Sequence, residues 1–85
     1  MSHIFKKKIT KELAGSDYLS QLNGWELKRE GDNREYIKKN NKIFFFSGDR
    51  GYKLIVFDGN KTAFTHHTAE KKEALIFLNE AIMLW

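Results

Sequence analysis

The chain contains neither cysteine nor proline. Without cysteine it can form no disulfide and no thiolate metal site, and a reducing, cytoplasmic location is the expectation. Without proline it has no stiff linker to separate one domain from another. Long apolar runs are missing too. Even Ala74 to Leu78 falls far short of the ~20 residues a membrane helix needs. No signal-peptide pattern heads the sequence, so no membrane partner is expected. Cofactor motifs are absent as well. Gly48-Asp49-Arg50-Gly51 lacks the glycine spacing and the Lys-Ser/Thr of a phosphate loop, and it joins strand patterns rather than a strand and a helix.

What remains is 85 residues, 41% of them hydrophobic, with seven Phe, three Tyr and two Trp. That is one domain, residues 1–85, near the lower size limit for a core without staples. The formal charge of +4 is unevenly placed. Residues 1–24 carry four lysines against two acids, and residues 25–53 carry eight cations against five acids. Residues 54–85 carry three lysines against four acids. The excess therefore belongs to the N-terminal part and the first hairpins, where it suits an anionic partner or plain solubility.

Residues 1–9, with Lys6-Lys7-Lys8 between apolar neighbours, read as an arm or an edge strand. Residues 10–22 are weakly helical, with Gly15-Ser16-Asp17 expected to interrupt them and Ser16 or Asp17 to cap a second piece. Asn23-Gly24 supplies a C-cap. From there to residue 65 short apolar runs alternate with turn residues, the pattern of an antiparallel sheet. Strands are expected over Trp25 to Arg29, Arg34 to Lys39, Lys42 to Ser47, Tyr52 to Asp58 and Lys61 to Thr65, with turns at Asn40-Asn41 and Gly59-Asn60. Thr68 reads as the N-cap of a helix over residues 68–84. The fold class is α+β: a four- to five-stranded antiparallel meander flanked by an N-terminal helix and a long C-terminal helix.

Two-residue turns fix which side chains share a face. One face carries Ile37, Phe44, Phe46, Ile55, Phe57 and Phe64; the other carries Tyr36, Ile43, Phe45, Leu54, Val56 and Ala63. Both are apolar, whereas a small antiparallel sheet ordinarily keeps one face polar. Each face must be covered, one by the C-terminal helix, the other by the N-terminal helix, a second subunit or a ligand. The C-terminal helix is itself apolar around most of its circumference. That predicts a homodimer or partner interface through Leu78, Ile82 and Trp85.

His66-His67 is the one pair with catalytic or metal-binding chemistry. Neighbours on a strand point to opposite faces, and zinc takes three or four protein ligands. No metal site and no catalytic residue is assigned. Together with Leu22-Asn23-Gly24-Trp25, the pair resembles pterin carbinolamine dehydratases in part. That family has proline where Thr68 stands and a helix between the early strands, so the assignment is rejected. The order helix, strands, helix is similar to double-stranded RNA-binding modules only at the coarsest level, and no family is claimed.

Basic and aromatic residues interleave more suggestively. Lys38, Lys39 and Lys42 crowd one hairpin end, with Arg34, Tyr36, Arg50 and Lys53 on or beside the sheet and Lys6, Lys7 and Lys8 on the arm. Cations that neutralise phosphates beside rings that stack on bases are the means by which single strands are held. Tyr36 is expected to be the best-exposed ring. The leading expectation is a nucleic-acid-binding, transcription-associated protein using this surface. The alternative is a non-enzymatic regulator or inhibitor that blocks a larger protein through an apolar sheet or helix surface. An enzyme built on His66 and His67 stands well behind both.

Overall fold

The computed structural model describes residue 13, residues 15–29 and residues 31–85. The expected arm over residues 1–9, with Lys6, Lys7 and Lys8, lies outside the described residues. The chain is α+β: a helix α1 over residues 15–22, five strands and a second helix. The strands are β1 (Glu26–Arg29), β2 (Arg34–Lys38), β3 (Asn41–Gly48), β4 (Gly51–Asp58) and β5 (Lys61–Thr68), followed by α2 (Lys71–Leu84). They form one antiparallel sheet whose spatial order is the sequence order.

Gly15, Ser16 and Asp17 do not interrupt the first helix; all three lie within α1. The two polar side chains serve tertiary bonds instead of capping. Ser16 Oγ donates to Asn79 Oδ1 of α2 at 2.7 Å, and Asp17 accepts from two residues of β2. The C-terminus of α1 closes as its sequence suggests. Trp25 N–H donates to Ser20 O at 2.8 Å and Gly24 N–H to Gln21 O at 3.2 Å, with Gly24 at φ 81°. This is the paired-bond Schellman closure, which needs a left-handed residue that glycine provides without strain.

Both helices sit on the same face of the sheet. α2 packs on β3, β4 and β5, and α1 is tied to α2 through Ser16 and to β2 through Asp17. The core between the layers holds Leu13 and Trp25, then Tyr36, Ile43, Phe45, Leu54 and Val56 of the sheet, then Ala74, Leu78, Ala81 and Ile82 of α2. Trp25 Nε1 donates to the Ile82 carbonyl at 2.8 Å, which satisfies the indole inside this apolar layer. Leu78 and Ile82, expected at an oligomer interface, are fully buried within the single chain. Trp85 is half-buried against Phe64, with ring centroids 6.2 Å apart. The wide apolar circumference of α2 is accounted for by two neighbours, sheet and α1, although Ile76, Met83 and Leu84 stay exposed.

Two register details differ from the sequence expectation, and their consequences are unequal. The β2–β3 turn is Lys39-Asn40, not Asn40-Asn41, so Tyr36 pairs with Ile43 and Ile37 with Lys42. The slip is two residues, one full period of the strand, and every side chain keeps its face. Lys39 adopts a left-handed φ of 55° to make this turn, a conformation that costs a residue with a Cβ. In β5 the shift is a single residue. Val56 pairs with Phe64 but Phe57 with Thr62, leaving Ala63 as a bulge. Beyond it the faces exchange: Phe64 and His66 turn toward the helices, and His67 turns away. Strand β5 also runs on to Thr68, so Thr68 is no helix cap; its hydroxyl accepts the Glu70 N–H at 3.1 Å, and the helix starts at Lys71.

Candidate functional site

The sheet face turned away from the helices is the candidate site. Alternation along each strand and the observed pairing place Lys42, Phe44 and Phe46 of β3 on it, with Lys53, Ile55 and Phe57 of β4. Thr65 and His67 of β5 join them, as do Ile37 and Glu35 of β2. Among the described residues no helix packs on this face. Its rings form a short array. Phe44 and Phe46 lie with centroids 5.8 Å apart and planes 12° from parallel, and Phe57 meets Phe44 edge-on at 5.8 Å. Phe46 is 38% exposed, while Ile37, Phe44, Ile55 and Phe57 are half-buried among one another. Lys42 Nζ stands 5.8 Å from the Phe44 ring centroid, at the reach of a cation–π contact.

Charge is divided across the face. Glu26 and Glu35, with Arg29 opposite Glu35, occupy the β1–β2 half. The β3–β5 half carries Lys42 and Lys53 and no carboxylate, and His67 lies in register with Lys53. Arg50 is exposed in the β3–β4 turn, at the same end of the sheet as Lys53.

Several basic and aromatic residues singled out from the sequence lie elsewhere. Lys38 belongs to the helix-covered side, its Nζ 5.5 Å from the Trp25 ring centroid, so it does not stand beside Lys42. Lys39 is exposed in the turn. Tyr36, expected to be the most exposed ring, is fully buried, and Arg34 is only 2% exposed. Both are held by Asp17: Arg34 Nη2 donates to Oδ2 at 3.0 Å and Tyr36 Oη to Oδ1 at 2.8 Å. Burial, and then the Asp17 carboxylate, push the Tyr36 hydroxyl far above the usual phenol range. Arg34 Nε is buried with no hydrogen-bond partner among the described residues. These two residues fasten α1 to the sheet and present nothing to a ligand. The sequence did place Phe57 on this face. What it missed is His67, because the bulge that turns it outward sits at Ala63, where no glycine or proline marks it.

The two histidines diverge. His66 stacks on Phe77 at 3.9 Å and its Nε2 lies 2.8 Å from Glu73 Oε2, joining β5 to the first turn of α2. That hydrogen bond, and a second from Thr68, hold the Glu73 carboxyl below its usual range. Among the described residues no group of His, Cys, Asp and Glu could hold a metal ion. A shallow depression of about 300 Å³ near the end of α2 is lined by Phe64, Phe77, Glu80, Ala81, Leu84 and Trp85 and does not include His66. Among the described residues no helix is long and apolar enough to cross a membrane. Comparison with family models, curated proteins and solved structures finds no match to this chain.

Proposed function

We propose that this chain is a small, non-enzymatic nucleic-acid-binding protein whose contact surface is the sheet face opposite the helices. One observation carries the reading: Phe44, Phe46 and Phe57 lie with Lys42 and Lys53 on a face that no helix among the described residues covers, and the β3–β5 half of that face has no carboxylate. Stacking on an aromatic ring contributes ~1–3 kcal/mol per base, so two or three rings suffice for a working affinity. The cations supply attraction and position through phosphates. Arg50 adds a cation at the Lys53 end of the sheet, next to Asp49 in the same turn. Lack of cysteine suits a cytoplasmic setting.

Anisotropy of a labelled oligonucleotide, titrated with salt, tests this. Each phosphate contact contributes a log–log slope of about 0.7 on a single strand and about 0.9 on a duplex. Replacing Lys42 or Lys53 with Gln is expected to flatten the slope by one such step. Replacing Lys38, on the other side of the sheet, is expected to leave it unchanged. If the native protein binds no oligonucleotide at low salt, the reading fails.

The second reading, a regulator that binds a protein partner or a second copy, draws on a different surface. The helix layer exposes Tyr18, Leu22, Ile76, Met83 and Leu84. Sedimentation at micromolar concentration separates the two: self-association abolished by Met83→Glu but untouched by Lys42→Gln would favour the helix surface.

A further inference from the structure

We propose that the ligand of this face is a single strand with unpaired bases, lying across β3, β4 and β5, and not a duplex. The inference rests on the nucleic-acid reading above and narrows its substrate. Width decides first. Five strands spaced about 4.8 Å apart span roughly 19 Å. A DNA major groove is about 12 Å wide and admits a helix or a two-stranded ribbon. The face therefore cannot enter a groove, and a duplex laid on it would meet the lysines through phosphates alone.

The chemistry of the face agrees. Beside its two cations it offers Phe44, Phe46, Ile55 and Phe57, surfaces that match the planes of bases and not their edges. A duplex keeps those planes inside its own stack; an unpaired strand exposes them. Charge then sets the track. Glu26, paired with Lys28 Nζ at 3.3 Å, and Glu35, opposite Arg29, leave the β1–β2 half without an excess of positive charge, whereas the β3–β5 half of this face has cations and no carboxylate. Lys53 precedes Phe57, the partner of Lys42, by four residues on β4. At a rise of about 3.3 Å per residue the Cα positions of the two lysines stand roughly 13 Å apart along the strand direction. Phe57 stands level with Lys42 and Phe46 level with Lys53, with Phe44 and Ile55 between the two rows, which fits a backbone pinned at two phosphates with bases laid on the adjacent rings. A second copy docked through this same half would set Lys42 and Lys53 against a surface that offers them no carboxylate.

The test compares three probes by anisotropy at low salt: a single strand of about a dozen nucleotides, its annealed duplex, and an abasic strand of equal length and charge. The single strand is expected to bind at least about tenfold more tightly than either other probe, with a salt slope of about −1.4 for two phosphates. Phe46→Leu keeps the apolar volume and removes the ring at an exposed position. It is expected to weaken the intact strand by roughly 5- to 150-fold and to leave the abasic strand unchanged, with an unaltered thermal midpoint as the folding control. Equal binding of the duplex or of the abasic strand overturns the single-strand proposal and leaves the nucleic-acid reading standing. Full affinity in Phe46→Leu overturns the stacking role. No binding of any probe overturns both.

Discussion

Replacing Asp17 with alanine should be among the most damaging single changes available in this chain. Its carboxylate receives both the Arg34 guanidinium and the Tyr36 hydroxyl, at 3.0 and 2.8 Å. Removing one partner of a buried ion pair typically costs 3–5 kcal/mol, because the remaining charge has no water to return to. The Asp17 side chain is 21% exposed, which places the expected loss near the lower end, about 3 kcal/mol. At ~0.05–0.15 kcal/mol per residue, an 85-residue domain has only about 4–13 kcal/mol to lose. One kcal/mol moves the midpoint of a domain this size by roughly 4–8 °C, so a fall of ~12 °C or more is expected in thermal unfolding. Asp17→Asn sharpens the cause: its amide oxygen can still accept from Tyr36 but it offers Arg34 no charge, so most of the loss should persist. Arg34→Met in the Asp17→Leu background should recover part of it, since an apolar pair leaves no stranded ion. A loss below about 1 kcal/mol in Asp17→Ala, or strict additivity of the double variant, would refute the buried-clasp reasoning.

Alkaline titration should find Tyr36 silent. Its hydroxyl is held in the neutral form by burial and by Asp17, so the folded pKa lies above the unfolded one; the associated stability is intact below about pH 10 and declines above it by up to ~1.4 kcal/mol per pH unit. Urea midpoints measured from pH 8 to 11 should fall less steeply in Tyr36→Phe than in the native chain. Gly51→Ala should cost about 2 kcal/mol or more in chemical denaturation. A Cβ there would lie 2.6 Å from the Thr68 carbonyl oxygen, and φ is 113°, whereas Gly48→Ala meets open space and should be nearly neutral. Deleting Ala63 should remove the bulge from β5 and leave Thr62 opposite Phe57 and Phe64 opposite Val56, with Phe64 still turned toward the helices. The Phe64–Phe77 contact, seen at 5.9 Å, should then persist, with aromatic near-ultraviolet signals close to those of the native chain.

The fold was readable because turn residues and apolar alternation repeat on one short period. Gly59-Asn60 and the Ser47–Tyr52 pairing stand as the pattern implied, and the two-residue slip at Lys39-Asn40 changed no face. Face membership in β5 was not readable, since one inserted residue reverses everything after it and Ala63 bears no mark of doing so. Nor does alternation reveal which apolar face the helices cover. That depends on Asp17 reaching Arg34 and Tyr36, a contact between residues 17 and 19 positions apart, and it is why Tyr36 was expected on the surface. Lys42 and Lys53 could be seen as site residues because they flank the phenylalanines on the same parity. Lys38, one position out of phase with Ile37, stands on the other side of the sheet.

The meander also dictates an order of assembly. Every strand pairs with its neighbour in sequence, so the whole sheet can zip from hairpins whose partners are never far apart. The helices are different: Ser16 meets Asn79 across 63 residues and Trp25 meets Ile82 across 57. Closing such spans from an open chain is entropically costly. Once five strands are in place, however, the sheet itself brings the two ends onto one side of the molecule. Folding should therefore commit with β2, β3 and β4 paired and latch the ends afterwards. In that case substitutions at Ile43 or Val56 would slow folding, while substitutions at Asp17 or Trp25 would chiefly hasten unfolding.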